Sequence, residues 1–74
     1  MKPCVGDVVH YQAYGTPAGE FKSVPRAAII AGVADAEKGT CDLVVLNPQG
    51  LFFNRCEYSE APKPGCWSWP RRES

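Results

Sequence analysis

The sequence predicts a mainly-β fold of five short strands, and three observations carry that reading. β-Branched and aromatic residues gather in short runs. Glycine, proline, asparagine and aspartate bound those runs. Only one stretch, residues 25–39, offers a helical alternative.

Residues 5–11 form the first strand, with Gly6-Asp7 as its opening turn. Alternation places Val5, Val9 and Tyr11 on one face and Val8, His10 and Tyr14 on the other. Residues 14–25 hold two glycines and two prolines and read as a long first loop. A connection of that length is commonly functional or pinned by its own side chains, here Tyr14 and Phe21. In residues 26–33 the alanines favour a helix that would begin at Pro25 and end at Gly39. Ile29, Ile30 and Val33 are stiff at χ1, and Gly32 interrupts, so strand is the preferred reading.

A charged turn over residues 35–40 leads to the strand at 41–46. Asn47-Pro48-Gln49-Gly50 matches a type I turn and returns the chain through residues 51–54 as a hairpin. Residues 57–65, with Pro62 and Pro64, form a loop. Residues 66–70 make a last short strand stopped by Pro70, and 71–74 a frayed tail. The expected architecture is a small SH3-like five-stranded half-open barrel with a long first loop, one domain over residues 1–70.

A chain of 74 residues supports one modest core and buries about 60% of its unfolded surface. Eight basic and eight acidic residues leave a net charge of +0, so nucleic acid is an unfavoured partner, because that class needs a basic excess. No run approaches the roughly 20 apolar residues of a membrane span. Residues 1–7 lack the apolar core of a signal peptide, which points to the cytoplasm. Cys4, Cys41, Cys56 and Cys66 lack the close pairing of a zinc site. In a reducing compartment they read as small buried hydrophobes. No glycine-rich phosphate loop opens a helix, and no cofactor is expected.

Residues 27–33 and 43–46 are apolar on both faces, whereas a small barrel has one inner face. The surplus predicts self-association, a docked partner, or loops folded back over the sheet. Trp67 and Trp69, two residues apart, share a strand face. They form either core or an aromatic platform that Tyr11, Tyr14 and Phe53 would extend. Arg26 opens an apolar strand, either as edge decoration or as an anion-binding group at a pocket rim. His10, the only histidine, has no nucleophile motif near it and reads as structural or as part of the binding surface. Neither Asp7, Asp35, Glu37 nor Asp42 has the spacing of a catalytic pair, so the expectation is a non-enzymatic protein.

Several blocks resemble a family of small phage and prophage proteins across nearly the whole chain. They are Val5-Gly6-Asp7-x-Val9-His10-Tyr11, Gly15-Thr16-Pro17, Arg26-Ala27-Ala28-Ile29, Leu46-Asn47-Pro48-x-Gly50-x-Phe52-Phe53-Asn54 and Gly65-x-Trp67-x-Trp69-Pro70. The family pattern often has histidine where this chain has Ser68, threonine at Cys66 and cysteine at Pro25. The resemblance implies phage origin and expression in the host cytoplasm, and no activity. The leading expectation is therefore an accessory protein that binds a host protein, as in counter-defence or host takeover. The alternatives are sequestration of a small anionic or nucleotide ligand in an aromatic-plus-arginine pocket, and a minor structural component of the virion.

Overall fold

The computed structural model describes residues 2–15, 23–48 and 50–70. They form one antiparallel five-stranded sheet: β1 (Val8–Gln12), β2 (Pro25–Asp35), β3 (Thr40–Asn47), β4 (Gly50–Cys56) and β5 (Trp67–Ser68). The strand order is β4-β3-β2-β1-β5, and the sheet is not closed. No helix occurs among the described residues, so the mainly-β expectation holds and residues 25–35 are strand. Here β-branched stiffness and the cross-strand pairing of Ala28, Ile29 and Ile30 with Val45, Val44 and Leu43 outweigh the helix propensity of alanine.

Alternation sorts the side chains into two faces. Val9, Tyr11, Ala28, Ile30, Cys41, Leu43, Val45, Cys56 and Trp67 point inward and form the core. Two register shifts in β2, between Ile30 and Gly32 and between Val33 and Asp35, bend its far half. The sheet also curls strongly. In a flat sheet β1 and β4, three strand positions apart, would lie roughly 14 Å from each other. Instead the Tyr11 and Phe52 rings meet edge to face at 5.7 Å, and Asn54 Nδ2 donates to the Tyr11 hydroxyl at 3.4 Å.

The chain after β4 completes the curl. Ser59 N–H donates to the Trp67 carbonyl at 2.9 Å, and Trp67 N–H donates to the Glu57 carbonyl at 3.0 Å. Trp67 therefore has Tyr11 of β1 on one side and Tyr58, through a single parallel bridge, on the other. β5 is shorter than expected because only two residues pair with β1. Val5 lies outside β1 and is exposed, since the ladder there passes through Gly6 and Asp7, which bond to Ile30.

The hairpin predicted at residues 47–50 is present, with Asn47 opposite Gly50 and only Pro48 and Gln49 between them; Gln49 lies outside the described residues. Most of the long first loop (16–22, including Phe21) and the tail (71–74) also lie outside them. At the base of that loop Ser23 Oγ donates to the Ala13 carbonyl at 2.6 Å, and Gln12 Nε2 donates to Ser23 Oγ at 2.7 Å. Tyr14 is seated against Gly65, where a Cβ would collide with its phenol.

Gly39 closes the β2–β3 turn at φ +71°, and a Cβ there would come within 2.8 Å of the Tyr58 Cβ. Both the left-handed backbone and the contact require glycine. Gly39→Ala is therefore expected to destabilise the fold by about 1–3 kcal/mol, read as a fall in the urea midpoint. Gly50→Ala, which meets nothing within 4 Å, is the control and should stay within about 0.5 kcal/mol of wild type.

Candidate docking face and aromatic cleft

The outer face of the sheet is built by the same register that fills the core. Val8 pairs with Ile29, Ile29 with Val44, and Val44 with Phe53. The result is an unbroken apolar row across β1, β2, β3 and β4. Leu46 and Leu51, paired with each other, add a second apolar contact on the same face. Phe53 is 75% exposed, Leu51 60% and Val8 58%. No described element lies over them; β-strand neighbours make all the extensive contacts between elements. The expectation that β2 and β3 would be apolar on both faces is met, and among the described residues no loop folds back over the row.

The row ends at β4, an edge strand. An edge presents backbone N–H and C=O groups with no partner, which natural sheets usually shield with lysine, proline or a cover. β4 carries Leu51, Phe52 and Phe53 and neither lysine nor proline. Its one charge, Arg55, is held by Asp42 of β3 through Nε–Oδ1 at 2.7 Å and a second contact at 3.2 Å. That hydrogen bond and the attraction of the guanidinium hold the Asp42 carboxyl below its ordinary value. With Arg55 compensated within the sheet, the face offers apolar surface and no unpaired charge from this pair.

The residues singled out from sequence do not form one site. Trp67 is 1% exposed and belongs to the core, not to a surface platform. Its Nε1–H donates to the Gly39 carbonyl at 2.7 Å, so its one polar atom is satisfied in the interior. Trp69 does share its face and meets it edge to face at 5.1 Å, but stays half-buried at the rim of a cleft. Tyr11 is likewise core, and burial raises its phenol above the ordinary value. Phe53 and His10 are on the opposite, outer face; His10 is half-buried opposite Ala27 and Ser68. Tyr14 is exposed against Gly65.

Arg26 stands opposite Tyr11, which in turn stands opposite Trp67, so arginine and indole do share a cross-strand row. Its Nε is buried without an acceptor among the described residues. It does not line the cleft of about 320 Å³ beside Trp69, whose cations are Lys2 and Lys38. Tyr58 and the two lysines were not readable as site residues. Tyr58 reaches the cleft through its bridge to Trp67, a pairing with no local signature.

The thiols follow burial. Cys41 and Cys56 face each other across β3 and β4, both buried and free, while Cys4 is exposed. No three His, Cys, Asp or Glu side chains cluster as a metal site among the described residues. Comparisons with protein-family models, with curated proteins and with solved structures return no match.

Burial, with smaller contributions from Cys66, Cys41 and Asp42, pushes the Cys56 thiol from 9.0 up to about 11. Burial first, and Asp42 second, also raises Cys41. Between pH 9 and about 11 the unfolded chain loses the Cys56 proton before the folded protein does. The native state then binds more protons, and stability falls as pH rises through that window. The urea midpoint should decline over this range and decline less steeply in Cys56→Ala; parallel pH profiles for the two proteins would remove the assignment.

Proposed function

We propose that this chain is a non-enzymatic binding module, a phage accessory protein that docks a host protein in the host cytoplasm on the outer face of its sheet. The observation that carries the reading is the uncovered row Val8–Ile29–Val44–Phe53 leading to the unpaired β4 edge. Contiguous exposed apolar surface in a soluble domain marks an interaction site. The edge adds a directional element: a partner offering an extended apolar segment can extend the sheet through main-chain hydrogen bonds. Its side chains then cover Phe53 and Leu51. Burying apolar surface on both partners contributes roughly 25 cal/mol per Å² before the costs of association.

The finer fold reading belongs with this function. The strand order, β5 lying beside β1, and the return of residues 57–59 to Trp67 support an SH3-like half-open barrel. Such a curl fills the inner face with core and leaves the outer face of β2, β3 and β4 for a partner. On that face Asp42 is engaged by Arg55, and His10 stands opposite Ala27 and Ser68.

The test is capture from host lysate followed by reconstitution from purified components. A captured host protein, recombined with the purified chain, is expected to bind wild type and to lose at least about tenfold in affinity for Phe53→Asp, which removes the most exposed apolar side chain of the row, on its edge strand. Equal affinity for the variant, or no association of the purified pair, overturns the reading. A dimer of the chain alone that Phe53→Asp dissolves assigns the face to a second copy and overturns it too.

A further inference from the structure

We infer that the cleft beside Trp69 is a binding site for a planar heteroaromatic anion of the nucleoside monophosphate class, separate from the outer-face docking surface. Its volume is about 320 Å³, at the lower end of the roughly 300–1,000 Å³ of small-molecule sites. That space suits one base with its sugar phosphate and not a longer polymer.

Aromatic rings line it. The Trp67 ring is the buried base, and Tyr58 and Trp69 each meet it edge to face, at 5.0 Å and 5.1 Å. Tyr58 is 40% exposed and Trp69 half-buried, so both keep ring surface available to a ligand. A flat heterocycle placed against them exchanges water for stacking, which tolerates any base identity.

Charge selects the anion. Lys2 and Lys38 line the cleft against one carboxylate, Glu37. Neither lysine is in an ion pair among the described residues, where Asp42–Arg55 is the pair formed. The chain carries a net charge of +0, so this local excess of one positive charge is a feature of the cleft and not of the whole surface. Two lysines lining an aromatic slot suit a phosphate attached to a ring.

The walls are held in place before any ligand arrives. Asp35 Oδ1 accepts from Glu37 N–H at 3.0 Å and Lys38 N–H at 3.2 Å, which fixes the turn carrying Lys38. The Gly39 carbonyl, the next link, holds the Trp67 indole. On the other wall the segment after Lys2 and Pro3 is tied by Cys4 N–H donating to Asp7 Oδ2 at 2.9 Å. The backbone of both walls is thus set in advance, and the ordering that binding still requires is that of the exposed Lys2 and Lys38 side chains.

Titration of the intact chain with AMP, GMP, CMP and UMP, followed by amide chemical-shift changes, tests the assignment. At least one nucleotide is expected to saturate with a Kd at or below about 1 mM, with the shifts centred on Lys38, Tyr58 and Trp69. Adenosine and inorganic phosphate, each lacking half of the chemistry, should bind at least about tenfold more weakly. Lys38→Glu, an exposed turn substitution that leaves the core intact, should weaken the nucleotide by a similar factor, and Phe53→Asp should leave it unchanged. No saturation by any of the four, shifts mapping elsewhere, or an unaltered Kd in Lys38→Glu overturns the inference. Because Phe53→Asp separates the two surfaces, either reading can fail without the other.

Discussion

The Trp67 indole is the contact on which the remaining architecture depends. It is the largest fully buried side chain, and its ring nitrogen reaches across to the Gly39 carbonyl of the β2–β3 turn. Its backbone simultaneously joins β1 on one side and the chain beyond β4 on the other. One residue therefore ties the last strand, the central turn and the return from the edge strand. A buried indole without an acceptor would cost about 1–3 kcal/mol. The Gly39 carbonyl of the β2–β3 turn meets this need.

Curling solves one problem and leaves another. A single five-stranded layer has to cover its apolar face, and here it does so by rolling until Tyr11 meets Phe52 and Asn54. No second layer of described residues covers the outside. Strands such as β2 and β3, apolar on both faces, fit a sheet buried on both sides. The outer row is thus the structural counterpart of a sequence more apolar than one small core can use. Among the described residues that surplus stays open to solvent, most of all at Phe53, Leu51 and Val8.

How much was legible depended on whether a signal was local. The Asn47–Gly50 turn is encoded by four adjacent residues and appears where expected. The faces of Val9 and Tyr11 followed from alternation, as did the surplus of apolar side chains in β2 and β3. The i, i+2 spacing of Trp67 and Trp69 correctly placed them on one face. Spacing could not say that this face points into the core at Trp67 and emerges at a cleft rim at Trp69. Arg26 reached the same cross-strand row as the indole and yet not the cleft, because the row spans three strands and the cleft opens beyond its end.

Residue type and order alone determined that this chain forms short strands, where its tight turns fall and which side chains alternate. Those properties arise from torsional preference and period within a few neighbouring residues. The curl, the interior position of Trp67, the meeting of Tyr58 with it, and the placing of Lys2 and Lys38 along one cleft were decided only in three dimensions. Each joins segments far apart in the chain. Their positions depend on accumulated twist, two register shifts in β2 and one long-range hydrogen bond, and no local pattern specifies such a sum.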